Sequence, residues 1–264
     1  MIRYVIVLVV LGIVLIPVHA FDHLLFTLLN ALHHRATDPF WLAATTLGDG
    51  LVLCVIIGAF VVIDPRVTAL GLCVMVLASL ATNSIKALFP TLRPVAVLES
   101  VHVIGPLLRS GAFPSGHAAS AMAAGLSIAY LCRSTLVGIS ALCVAGLISV
   151  SRIFVGAHFP RDVIGGIMCA LGLFILFVTL AWPKIREAIP DRPDFSMRLV
   201  RVLFSVEVAA ALYLVFVHAP FHAESPAVAC AVGIAVLVFL ASRYRKLRSY
   251  TGTAQQISNG LPRE

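Results

Sequence analysis

Eight apolar runs constrain this chain more than any other feature. They fall at about 2–19, 41–62, 68–89, 115–132, 135–151, 163–182, 199–218 and 226–242. Most reach the ~20 residues a helix needs to cross a hydrocarbon core. The fourth and fifth are shorter, and Arg133 separates them; one long helix through both would strand an unpaired arginine in mid-bilayer. Of the 264 residues, 60% are hydrophobic and 12% charged, far from the ~25% charge of soluble domains. The expected fold is therefore all-α: a polytopic transmembrane bundle. The excess of Lys+Arg over Asp+Glu (19 against 12) does not point to nucleic acid, because the basic residues lie between apolar runs rather than on one polar face. Cys54, Cys73, Cys132, Cys143, Cys169 and Cys230 lie inside the runs without a CxxC pair. They read as small core residues, not as zinc ligands or a disulfide framework.

Orientation follows from the basic residues. With the N-terminus cytoplasmic, thirteen fall inside: Arg3, Arg66, Arg133, Lys184, Arg186, Arg192, Arg198, Arg201, Arg243, Arg245, Lys246, Arg248 and Arg263. Six fall outside: Arg35, Lys86, Arg93, Arg109, Arg152 and Arg161. Both termini are expected inside. The first run, ending in Val18-His19-Ala20, also reads as a signal peptide; either reading has the second run entering from outside. Trp41 and Trp182, at run ends, read as interfacial anchors. The polar, proline-containing stretch 183–198 separates six helices from two more at 199–242, and a polar tail, 243–264, is expected to be disordered.

Three clusters hold the polar chemistry of the outer side. They are Lys86-x6-Arg93-Pro94, Pro114-Ser115-Gly116-His117, and Ser151-Arg152-x5-His158-x3-Asp162. In the eight-span arrangement all three converge on one membrane face. Lys86, Arg93 and Arg152 offer positive charge and many donors to phosphate oxygens. Ser115 and Gly116 open a helix, where free N–H groups favour an anion. His117 and His158 are two acid–base or nucleophilic groups. Asp162, four residues after His158, shares its face if the chain is helical there, and can hold one ring nitrogen protonated while the other attacks. Phosphoryl transfer needs this set of parts, with Lys and Arg taking the role of a metal.

These clusters resemble the three-part signature of the type 2 phosphatidic acid phosphatase (PAP2) superfamily, over roughly residues 1–182. The resemblance implies a six-helix catalytic membrane domain (1–182), a cytoplasmic linker (183–198) and two further helices (199–242). It also implies roles: Lys86, Arg93, Ser115, Gly116 and Arg152 binding phosphate, His158 forming a phosphohistidine, Asp162 orienting it, and His117 protonating the leaving oxygen. No cofactor or metal is implied. The expected activity is hydrolysis of a lipid phosphate or diphosphate at the outer face of a bacterial plasma membrane. Undecaprenyl diphosphate, phosphatidylglycerol phosphate, phosphatidate and lipid A phosphate are admissible, the first slightly favoured. A lipid-to-lipid phosphotransferase would use the same site; a non-enzymatic transporter or scaffold would have no need of both histidines.

Other polar residues are secondary candidates. Asp49 and Glu207 lie within apolar runs, where an ionisable group suggests function; helix packing near Arg201 is an equal alternative for Glu207. Thr82, Asn83 and Ser84 are placed to orient Lys86. Arg109 and Arg161 are placed to touch a larger headgroup, and His33, His34 and His102 read as interfacial.

Sidedness is testable by labelling. With the native cysteines replaced, a cysteine at Ser100 is expected to react with an impermeant maleimide in intact cells, and one at Ser249 only after lysis. The reverse pattern would turn the site inward.

Overall fold

The computed structural model describes residues 1–32 and 35–258, with side chains described to residue 245. His33, His34 and 259–264 lie outside the described residues. Among the described residues six helices are long and apolar enough to cross a membrane: α1 (Ile2–Ala20), α5 (Pro65–Leu88), α8 (Thr135–Phe154), α9 (Pro160–Leu180), α11 with its continuation (Arg198–Phe221), and the Pro226–Arg245 part of α13 (Pro226–Ser258). Between α1 and α5 come α2 (Asp22–Asn30), α3 (Asp38–Leu47) and α4 (Gly50–Gly58), the last drawn out as a 3-10 turn, Ala59–Val62. The short helices α6 (Pro94–Val97), α10 (Trp182–Ile185) and α12 (Ala219–Phe221) lie at or beyond span ends, and α7 is Gly116–Leu131. No strand forms among the described residues.

Two of the eight runs depart from the simple expectation. The second is a pair of helices, α3 and α4, bent by 63°. The break falls at Gly48-Asp49, where the Asp49 side chain leaves the helical path to accept the N–H groups of Leu51 (2.9 Å) and Val52 (3.2 Å), capping α4. The fourth, α7, has 16 residues. At 1.5 Å per residue it is about 24 Å long, short of the ~30 Å hydrocarbon thickness. It is the centre of the bundle, packed against α4, α5, α8 and α9. Its sequence explains that position. Ala118, Ala119, Ala121, Ala123 and Ala124 are buried, and small residues let helix backbones approach closely. At Gly125 a Cβ would come within 3.1 Å of the Ala141 carbonyl of α8.

Further corrections concern the ends. Trp182 ends the run as expected and is buried against the core. Trp41 stacks on Phe154, with ring centroids 3.9 Å apart. The tail expected to be disordered from 243 is helical as far as Ser258. The linker is tied back to the bundle, Arg66 Nε donating to the Ile189 carbonyl at 3.0 Å.

The last two spans form a hairpin that rests on α4 through a second core, including Val52, Val55, Val61, Ala211, Leu214 and Leu240. Glu207 of α11 is buried there. It does not pair with Arg201, which donates instead to the Phe195 and Ser196 carbonyls. Its carboxylate fills the space above Gly58, where a Cβ would overlap it.

Gly58→Ala is expected to destabilise the protein in detergent by about 1–3 kcal/mol. The loss should shrink markedly in a Glu207→Ala background, as a double-mutant cycle of thermal unfolding would measure. Equal losses in the two backgrounds would mean the residues do not meet.

Candidate active site

The three clusters meet at one end of the bundle, and local sequence explains how. Helix α7 begins at Ser115, whose side chain accepts the Ala118 N–H at 3.5 Å. The Ser115 N–H donates to the Asp162 carbonyl at 2.8 Å, so the starts of α7 and α9 are joined. Lys86, in the last turn of α5, has its Nζ 3.8 Å from where a Cβ on Gly116 would stand. A side chain at 116 would intrude between the ammonium and the free N–H groups of the α7 N-terminus.

Arg93 precedes α6 and is buried. Its Nε donates to the Ser110 carbonyl (2.9 Å), Nη1 to Ala157 (3.1 Å) and Nη2 to Gly111 (3.3 Å). Two of its five N–H groups remain for a ligand. Burial, then the nearby Arg152, lowers its pKa to about 10, which leaves it charged at neutral pH. Arg152, in the last turn of α8, is also buried. Its Nη1 donates to Thr45 Oγ1 of the bent pair and to both carboxylate oxygens of Glu224, at 2.9 and 3.1 Å. Its Nε is buried without a hydrogen-bond partner.

His158 follows a turn made by Gly156, at φ +74°. A Cβ there would overlap the His102 carbonyl oxygen, so the turn requires glycine on both counts. Asn30 of α2 fastens this turn, its Nδ2 donating to the carbonyls of His102 (3.0 Å) and Ile153 (3.3 Å). His158 is buried, its Nδ1 3.6 Å from Asp162 Oδ2. That separation is too long for a hydrogen bond, and Oδ2 accepts the Phe159 N–H at 2.9 Å instead. Burial first, then the charges of Arg93, Arg152 and Lys86, hold the His158 pKa well below its ordinary value. The imidazole is therefore neutral, with a lone pair free to attack. His117, in the first turn of α7, has a buried Nε2 without a hydrogen-bond partner. Glu224 Oε1 lies 3.9 Å from it.

All eight residues of the expected site thus lie together. Of the secondary candidates only Arg161 reaches them, its Nε 3.7 Å from Asp162 Oδ1. Thr82 and Asn83 bond back to Ser79 rather than to Lys86. Arg161 pairs with Asp22 at 3.1 Å, its backbone N–H donating to the same carboxylate at 2.9 Å. It therefore fixes the start of α9 on α2. His102 pairs with Asp38 at 3.1 Å, and Arg109 is exposed. Asp49 caps α4 and pairs with His218 at 3.0 Å. Thr45 and Glu224 are the residues sequence reasoning missed. Thr45 carries no signal within its apolar run; Glu224 does, as an acidic residue in the short loop between the last two runs, on the side expected for the clusters. Among the described residues no group of three or more His, Cys, Asp or Glu side chains could hold a metal ion.

Residues 66–188 match the PAP2 superfamily model. Undecaprenyl-diphosphatase BcrC of Bacillus subtilis (strain 168) is 37% identical over 81 residues, which are 31% of this chain and 41% of that protein; the match thus spans less than half of that relative. Two solved structures share the fold. Aquifex aeolicus LpxE has 26% identity and a TM-score of 0.57, covering 60% of this chain and 95% of its own. The first transmembrane PAP2 type phosphatidylglycerolphosphate phosphatase from Bacillus subtilis has 25% identity and a TM-score of 0.54, covering 70% and 98%.

The depressed His158 pKa has a consequence for stability. Between the folded value and the unfolded one of about 6.5, the unfolded chain binds a proton that the folded chain refuses. Stability is full above about pH 6.5 and falls as the pH drops below it. Denaturation midpoints at pH 7 and pH 5 are expected to differ less in His158→Gln than in the wild type. Equal differences would mean His158 is not held neutral by the fold.

Proposed function

Since the chain belongs to the PAP2 superfamily, we propose that it is a membrane lipid phosphatase working through a phosphohistidine on His158. The observation that carries the reading is the meeting of Lys86, Arg93 and Arg152 with two histidines at one end of an apolar bundle. Lys86, Arg93, Arg152 and the N–H groups at Ser115 and Gly116 bind the phosphoryl oxygens and stabilise the charge that builds on them. The His158 nitrogen facing away from Asp162 attacks phosphorus in line; the bond to the leaving oxygen breaks, and His117 gives that oxygen a proton. Water, deprotonated by His117, then attacks phosphorus and breaks the P–N bond, releasing phosphate and restoring both histidines. The positive charge a divalent ion would bring is already present on three side chains.

A lipid leaving group suits the surroundings. An apolar cavity of about 290 Å³ lies between α4, α7 and α8, lined by Leu47, Ile57, Ala124, Val144 and Ile148 among others. Its upper end adjoins the site, since Ile148 and His117 both pack over Gly48. A hydrocarbon tail in this cavity would bring its phosphate to His117. The likeness to an undecaprenyl-diphosphatase makes a polyprenyl diphosphate the favoured substrate, with phosphatidylglycerol phosphate and lipid A phosphate next. The charge bias of the loops favours a site on the outer face, with lipid at that leaflet as substrate.

Phosphate release from a panel of lipid phosphates, by purified protein in detergent, tests this. Turnover is expected to persist in excess EDTA and to fall at least about a thousandfold in His158→Ala. Near wild-type activity in that variant would remove His158 from its role. Loss on chelation, restored by one divalent ion, would refute the metal-free reaction. Labelled phosphate appearing on an added lipid rather than in solution would make the enzyme a phosphotransferase.

A further inference from the structure

Glu224 is not among the residues that the proposed reaction needs, yet it sits in the middle of them. It comes from the loop between α12 and α13, in the hairpin that follows residues 66–188. Its carboxylate oxygens lie 2.9 and 3.1 Å from Arg152 Nη1. That nitrogen carries two hydrogens, and Thr45 Oγ1 takes the other. Nη1 is therefore fully engaged. The carboxylate also stands 3.9 Å from His117 Nε2. It thus lies between the arginine that would hold a phosphoryl oxygen and the histidine that would protonate the leaving group. A phosphate and this carboxylate cannot both occupy that ground.

The hairpin carrying Glu224 is firmly seated. A 5-residue π turn, Leu214–His218, interrupts α11, and His218 Nε2 meets Asp49 Oδ1 at 3.0 Å, pinning the hairpin to the break above α4. Glu207 over Gly58 holds it further along. A turn of the Glu224 side chain, 12% exposed, would lift its carboxylate from Arg152 while the hairpin stays seated.

Resting on the phosphatase reading, we propose that Glu224 is a specificity-determining residue: an internal anion that holds Arg152 until a phosphate carrying two charges displaces it. The cost of lifting Glu224 from Arg152 is the same for any incoming anion. The gain is not, because a dianion is attracted about twice as strongly as a monoanion by the same three cations. A terminal phosphate, as on a lipid monoester or diphosphate, carries nearly two charges at neutral pH. A phosphodiester headgroup carries one on its phosphate. Without Glu224, a cationic pocket opening on a membrane would be occupied by the phosphodiester lipids around it. With Glu224, those lipids meet a competitor already in place.

The test uses the full chain in detergent, comparing wild type, Glu224→Gln and Glu224→Ala after thermal unfolding has shown that each is folded. Inhibition by vanadate and by inorganic phosphate is measured, and then inhibition by added phosphatidylglycerol, against a lipid phosphate substrate. Both variants are expected to bind vanadate about tenfold more tightly and to lower KM. They should also become sensitive to phosphatidylglycerol at levels the wild type tolerates. Unchanged or weaker vanadate inhibition in both variants would overturn the proposal, since Glu224 would then be supporting Arg152 rather than competing for it. Tighter vanadate binding without new sensitivity to phosphatidylglycerol would overturn its selective role. A wild type that neither releases phosphate nor responds to vanadate would instead sink the phosphatase reading itself.

Discussion

Three like charges at one end of an apolar bundle repel one another, and most of the surrounding structure can be understood as the means of holding them there. Arg93 is held by three backbone carbonyls. Arg152 is held by Thr45 and Glu224. Lys86 points toward the start of α7, where the free N–H groups add further positive potential. Glu224 offsets one of the three charges, and a positive excess remains. Among the carboxylates at the site, Asp162 is turned toward backbone N–H and Arg161 as well as His158. The result is a cavity whose field demands an anion, and a histidine that cannot easily take a proton within it. Burial first, and then the same positive field that would favour an anion, keeps His158 neutral.

How this region is assembled depends on small residues as much as on charged ones. Helix α7 can occupy the centre because its flanks are alanine and glycine. Its short length brings Ser115, Gly116 and His117 down among the ends of longer neighbours. The Gly48-Asp49 break tips α3 away from α4, which brings Thr45 to Arg152 and leaves room for the His117 ring. A straight span there would separate the polar groups that the bend unites.

The candidate site was legible in the sequence because its signals are local and periodic. Apolar runs give the spans, and three short motifs with fixed spacing give the site. The misreadings share a different cause. Nothing in run length distinguishes a bent pair from a straight helix, so the kink at Gly48 went unseen. Arg161 was read as free for a headgroup because its partner, Asp22, lies 139 residues earlier, on a short helix with no apolar run of its own. Glu224 shows in the sequence as an acidic residue between the last two runs, but its reach to Arg152 is set by the hairpin's tertiary contacts to α4, which no single stretch of sequence announces.

The close fit of Glu207 over Gly58 bears on how such a protein can be altered or inherited. The six-helix part and the hairpin are easily imagined as a module and an appendage, free to be recombined. The missing Cβ at 58 and the carboxylate at 207 make them complementary halves of one joint. A hairpin transplanted onto a relative with a side chain at the position of Gly58 would have to turn the Glu207 carboxylate aside to seat. Chimeras that exchange the hairpin should be more stable when they carry the glycine with it, and lineages that acquired one would be expected to have acquired the other.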